Sequence, residues 1–231
     1  MQDTAPASVR RQRGAVLLVL AALLGFSGCA MWLQFERTDL DWVRATLSLY
    51  LHGPYGVLLR AAYCLLAVAI TLLAIGLHAQ MRPGPGRRGL PVGLFGMAGL
   101  GLAVVAIGDS WLPGYAPLLA PLVHGLAAQT AFLCASVAML VQAWCFGRDP
   151  RWRAQYALAW GWAWLAFIAL WLHVLWRGSP RGLGQKLVIA LVVGWLFWVG
   201  WALWRRLHKG TAETDGSGHN GAHLHNRDTS P

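Results

Sequence analysis

The stretch from Gly56 to Gln80 reads GVLLRAAYCLLAVAITLLAIGLHAQ, in which Arg60 is the only residue of fixed charge. At 1.5 Å of rise per residue it is long enough to cross a hydrocarbon core, which takes roughly 20 apolar residues. Working outward, similar stretches recur at Gly14 to Leu33, Leu90 to Gly108, Leu118 to Phe146, Gln155 to Trp176 and Leu183 to Trp204. Only short connections separate them. A chain that is 57% hydrophobic and 12% charged over 231 residues leaves no room for a separate soluble domain. The fold class expected is all-α, a polytopic bundle of six transmembrane helices, since a helix satisfies its own backbone in lipid. The expected organisation is a cytoplasmic N-terminus over residues 1–13, a membrane domain over 14–206 and a disordered, histidine-rich cytoplasmic tail over 207–231. That tail is polar and rich in Gly, Ser, Thr, Asn and His, and it is assigned no role.

The net charge of +10 would suggest nucleic acid in a soluble protein, but the basic residues alternate with the apolar stretches. Arg10, Arg11 and Arg13 precede the first, Arg82, Arg87 and Arg88 follow the second, Arg148, Arg151 and Arg153 follow the fourth, and Arg205, Arg206 and Lys209 follow the sixth. Only Arg37, Arg44, Arg177, Arg181 and Lys186 fall on the opposite side. This bias puts both termini in the cytoplasm. No basic face carries interleaved stacking aromatics, so membrane lipids, not nucleic acid, are the expected partners. The composition leaves the oligomeric state open. The expected location is a bacterial inner (plasma) membrane.

The 14 tryptophans divide by depth: Trp152, Trp176 and Trp204 sit at span ends, where amphipathic rings favour the headgroup level, and the mid-span rings are read as packing or lipid contact. Gly93, Gly96 and Gly99 predict close helix approach in the third span. The four cysteines lie in or beside spans without metal-ligand spacing. Phe26-Ser27-Gly28-Cys29 resembles a lipoprotein cleavage site, yet the apolar run continues to Leu33, so an uncleaved first helix is expected.

Charge in a membrane span is costly, and the polar residues collect at one level. Arg60 lies near the outer end of the second span, Asp109 ends the third, His124 opens the fourth, His173 closes the fifth, and Gln185 with Lys186 opens the sixth. Between the first and second spans, Thr38 to His52 has Leu40, Val43, Leu47 and Leu51 at helical steps, which predicts an interfacial amphipathic helix capped by Thr38 or Asp39. Gly53-Pro54-Tyr55-Gly56 then forces a bend. Ser48, His52, Arg60, Asp109, His124 and His173 are therefore the candidate ligand-binding residues, with Arg60 expected to pair with Asp109.

At Leu47-Ser48-Leu49-Tyr50-Leu51-His52-Gly53-Pro54-Tyr55-Gly56 the chain resembles the bacterial and archaeal membrane family called domain of unknown function 998, in which a similar Leu-Ser-x-Tyr and Gly-Pro-Tyr-Gly stretch precedes the second helix. The likeness extends over about residues 14 to 206, including Asp109, His124 and the Gln185-Lys186 pair. It implies a six-helix bundle and no assigned biochemistry.

Three chemistries compete for these residues. An outer-facing polar pocket would bind a lipid headgroup or small amphiphile, with Arg60 supplying the contact to phosphate or carboxylate. A metal-dependent hydrolase would use His52, Asp109, His124 and His173 to hold zinc and activate water against a lipid ester or amide. Haem ligation by His124 and His173 would require both on facing helices at matched depth. No His-x3-His occurs within the spans, and the primary reading needs no cofactor. A structural or assembly role without ligand stands beside them.

Overall fold

The computed structural model describes residues 7–84, 89–176, 178 and 180–221, with the side chains of residues 7, 8, 109 and 209–221 outside the description. Six long helices make up the body: α1 (Ala7–Glu36), α2 (Gly56–Gln80), α3 (Leu90–Tyr115), α4 (Ala120–Arg148), α5 (Arg153–Leu175) and α6 (Arg181–Gly221). All six are long and apolar enough to cross a membrane, and no strand occurs among the described residues. The chain is a multi-pass helical membrane protein.

Each helix packs on the next in sequence, and α6 packs on α1 to close the ring. From α2 to α6 short connections favour this order, because a connection of a few residues joins antiparallel neighbours; α1 packs on α2 across the longer 37–55 connection and on α6 with no connection between them. The bundle thus has a terminal face, where α1 begins and where Met81 to Gly84 after α2 and the 149–152 connection lie. Opposite it is a loop face with the 37–55, 116–119 and 176–180 connections. The core combines aliphatic and small side chains, with Leu23, Leu73, Ala98, Ala138, Ala163 and Val199 all buried, and large rings, Phe95, Phe146 and Trp152 among them. Trp195 is fully buried and donates from Nε1 to the Ala159 carbonyl at 3.0 Å, tying α6 to α5.

Glycine lets α3 run close to both neighbours, at Gly99 of the three positions expected and at Gly101 beyond them. A Cβ at Gly99 would stand 2.8 Å from the Ala67 carbonyl oxygen of α2, and one at Gly101 would stand 2.7 Å from the Ala127 oxygen of α4. Gly93 and Gly96 face open space. The close approach therefore falls two turns later than the first glycines of the run suggest, and it addresses two helices instead of one.

α1 passes unbroken through Cys29, which lies half-buried in its wall. α3 continues past Asp109 to Tyr115 and carries Pro113 in its last turn, where few intrahelical bonds remain to be lost. α6 extends to Gly221, while His219 keeps an undescribed side chain, and His223 and His225 lie outside the described residues altogether.

The helix expected across Thr38 to His52 is shorter. Turns occupy its first half, and only Leu47–Leu51 forms a helix, of 3-10 type. The reason is competition for the capping groups. Asp39 is held by Arg37, and Asp41 Oδ1 accepts from the Val43 amide at 2.9 Å, a local turn that offers the backbone an alternative to a helix. The 3-10 helix still lies across the bundle end as a roof, touching α2, α3 and α6.

Candidate functional site

The loop face is organised by Arg37, which follows α1 and is 6% exposed. Its Nε and Nη2 donate to the two Asp39 carboxylate oxygens at 2.7 and 2.8 Å, and its Nη1 donates to the His52 carbonyl at 2.6 Å. The same Nη1 reaches the Pro54 carbonyl at 3.4 Å. One guanidinium therefore fixes both ends of the roof. Its hydrogen bond holds Asp39 below the usual carboxylate range and raises Arg37 above its own.

The Gly-Pro-Tyr-Gly bend is explained by the same contacts. Gly53 has φ +78° and lies against the Arg37 guanidinium, and Tyr55 has φ 62°, a left-handed conformation uncommon outside glycine. A Cβ on Gly56 would collide with the Leu51 carbonyl. That carbonyl, at the end of the 3-10 helix, accepts from Arg60 Nη2 at 2.8 Å.

From the other side α6 braces the roof. Gln185 Oε1 accepts from the Leu47 amide at 2.7 Å, the Leu183 amide donates to the Val43 carbonyl at 2.9 Å, and Lys186 Nζ donates to the Trp42 carbonyl at 2.6 Å. Tyr50 is fully buried between two cations, with Arg37 5.9 Å and Lys186 5.3 Å from its ring centroid. Burial pushes its phenol above the ordinary range, and its hydroxyl has no hydrogen-bond partner among the described residues.

Beneath the roof lies a cavity of about 60 Å³, enough for several water-sized groups. Ser48, His124 and Gln185 line it near the loop face, and Phe26, Ile70, Ala98, Ala135 and Val192 line it toward mid-bundle. A second space, a groove of about 540 Å³, lies between α4, α5 and α6 and is lined by Gln129, His173 and Arg181 among apolar neighbours. The two share Ala128, Phe132 and Gln185 as walls. His173 Nδ1 is buried without a hydrogen-bond partner among the described residues and presses on Gly184, where a Cβ would stand 2.6 Å from it.

The sequence-derived residues thus fall into separate places. Ser48 and His124 share the cavity, and His173 lines the adjoining groove. His52 is exposed on the roof, engaged through its backbone. Arg60 lies below the roof on Leu51, with Nε buried and unpaired among the described residues. The Asp109 side chain lies outside the described residues, and with it the expected Arg60–Asp109 pair. Among the described residues no three of His, Cys, Asp and Glu come together, so His52, His124 and His173 do not by themselves form a zinc site. His124 and His173 line different spaces, which gives the haem reading no support.

Two structural anchors carried no signal strong enough to be singled out from sequence. Arg37 read as one of several loop cations. Asp149 is 3% exposed on the terminal face, and its carboxylate accepts the amides of Arg82 and Arg151, each at 2.8 Å. Its position next to Arg148 and Arg151 was the only hint.

The model of the family described as "Protein of unknown function (DUF998)" matches residues 19–202. No curated protein and no solved structure matches the chain. The matched residues run from the first helix into the sixth and include the roof, the cavity and the groove, so the chain belongs to the DUF998 family of proteins of unknown function.

Proposed function

We propose that the bundle binds an amphiphile, a lipid headgroup with its attached chain or a small lipid-like molecule, one end of which enters the cavity under the roof. The observation that carries this reading is the polarity gradient of that cavity. Ser48, His124 and Gln185 stand at the loop-face end and, Tyr63 apart, apolar side chains line the rest. An apolar molecule with one polar end matches such a lining, since the few polar groups fix orientation while the apolar wall supplies most of the contact. The arginine distribution supports cytoplasmic termini in a plasma membrane, which would turn the roof outward. Toward mid-bundle the described lining of this cavity carries no ionisable group but the Tyr63 phenol, which favours binding over transport across the membrane.

Native mass spectrometry of the protein released from nanodiscs tests the reading. Wild type is expected to retain a lipid-sized adduct, and Val192→Phe, which fills the cavity, to lose it while remaining folded by circular dichroism. Should Val192→Phe fail to fold, Ser48→Leu at the polar end replaces it. A wild-type protein that leaves the nanodisc with no adduct, or a filled cavity that keeps one, overturns the proposal. The orientation is tested separately by single cysteines at Gly84 and Gly178: only the second should react with an impermeant reagent on intact cells.

A further inference from the structure

We infer that the groove between α4, α5 and α6 is a lateral opening through which an anionic membrane phospholipid reaches the central cavity. This inference rests on the amphiphile reading above and adds the opening and the headgroup class. The first observation is continuity. Ala128, Phe132 and Gln185 wall both spaces, so the groove and the cavity adjoin across these residues. The principal neighbours of α6 are α1, α5 and α2, which leaves the α4 side of its loop-face half open.

The second observation is where the groove faces. Trp171, Val174 and Leu133 on its rim are 43%, 54% and 45% exposed, on helices whose outward surface meets hydrocarbon in a membrane. The occupant with unrestricted access to such a rim is a lipid of the bilayer itself.

The third is charge. Arg181 is exposed at the loop-face end of the groove, Gln129 and Gln185 add amide donors, and among the described residues no carboxylate belongs to the lining. The roof acids have partners of their own, Asp39 in Arg37 and Asp41 in Arg44 at 3.7 Å. A cation in an otherwise uncharged groove at headgroup level selects an anionic headgroup, and a guanidinium meets a phosphodiester through two parallel N–H donors. One acyl chain would then lie along Leu133, Leu170 and Phe132 and enter the cavity past Phe132.

The test uses full-length protein in nanodiscs containing equal phosphatidylglycerol and phosphatidylcholine, with bound lipid identified after release by native mass spectrometry. Wild type should carry the anionic lipid in excess, by roughly fivefold for one charge-assisted contact. Arg181→Gln, a change at an exposed position, should abolish the excess with total bound lipid unchanged. Gly125→Trp should lower total bound lipid, because Gly125 lines the groove and a side chain there has open space to fill. Equal binding of both lipids by wild type, or an excess that survives Arg181→Gln, overturns the headgroup assignment. Lipid occupancy unchanged in Gly125→Trp overturns the opening, leaving the cavity reading intact. A wild-type dimer split by Gly125→Trp would give the groove to a second copy of the chain and overturn the inference. No bound lipid in wild type removes the cavity reading as well.

Discussion

Arg37 Nη1 donates to the carbonyl oxygen of His52 at 2.6 Å, joining the end of α1 to the far end of the roof across the whole 37–52 connection. The bond matters because it is made to backbone. The carbonyls of a tight bend cannot all find partners within the bend, and a buried guanidinium with five donors satisfies several at once. The roof over the cavity is therefore held from α1 by Arg37, from α2 by Arg60 and from α6 by Gln185, three attachments from three helices.

Replacing Arg37 with Ala should lower stability by about 3 kcal/mol, the scale of losing hydrogen bonds to charged groups and stranding their acceptors. Arg37→Lys should recover less than half of the loss, because a point charge cannot span both Asp39 oxygens and the His52 carbonyl together. Equilibrium unfolding in detergent micelles checks both, and a lysine variant as stable as wild type would reduce the site to a generic positive charge.

The same pair makes the roof sensitive to acid. Asp39 has its folded value held below the ordinary carboxylate value of about 3.9 by the Arg37 hydrogen bond, so the folded state binds its proton less readily than the unfolded state. Its contribution is fully present above about pH 4 and is lost as pH falls from there through the folded value. Asp39→Asn should thus be less stable than wild type at neutral pH, and the gap should close as the medium is acidified below about pH 4. Thermal unfolding of both proteins across pH 7 to 2.5 measures it; a gap of constant size would show that the carboxylate charge is not involved.

What could be read from the residues alone follows from range. The six spans were legible because an apolar run of membrane length is a local property, and α2 begins and ends at Gly56 and Gln80 as its composition predicts. The roof was only half legible: its apolar steps were correct as a pattern, but the helix they predict loses Asp39 to Arg37 and Asp41 to its own turn. Gln185 was noticed as a polar residue opening α6, while its partner, the Leu47 amide, lies 138 residues away and is a backbone group that has no residue-type signature. The same blindness hid Arg37, whose partners include the carbonyls of His52 and Pro54. The glycine run in α3 announced close contact without saying which glycine makes it, because that depends on the rotation of α3 between α2 and α4.

That rotation gives a direct prediction. Gly99→Ala and Gly101→Ala place a Cβ against the backbone of Ala67 and Ala127, which cannot move aside as a side-chain tip would. Each should cost about 2 kcal/mol by overpacking. Gly93→Ala and Gly96→Ala meet open space and replace a poor helix former, so each should be neutral or stabilising by up to about 1 kcal/mol. Ordering the four variants by unfolding midpoint is enough. Equal effects at all four positions would mean that helix propensity, not close packing on α2 and α4, governs this span.

Asp149 on the terminal face should behave as a structural clip. Its two carboxylate oxygens take one amide each, Arg82 from the connection between α2 and α3 and Arg151 from the turn between α4 and α5, so a single side chain binds two connections 67 residues apart. Asp149→Ala leaves both amides without their acceptor and should destabilise by about 2 kcal/mol, since one lost partner for a part-buried donor costs about 1 kcal/mol or more. Asp149→Asn should recover only part, because one amide oxygen serves one N–H while its NH2 group meets the other as donor against donor. Asp41→Ala is the control: Asp41 is 55% exposed and its Arg44 partner 86% exposed, and removal of so exposed a pair should change stability by less than about 1 kcal/mol. Limited proteolysis with trypsin localises the effect, with faster cleavage expected after Arg151 in Asp149→Ala and unchanged cleavage after Arg44; the Arg82–Pro83 bond resists trypsin and gives no signal. If Asp149→Ala unfolds like wild type and the Arg151 bond stays protected, the clip is held by the neighbouring stack of Phe146 on Trp152, at 4.7 Å, and not by the carboxylate.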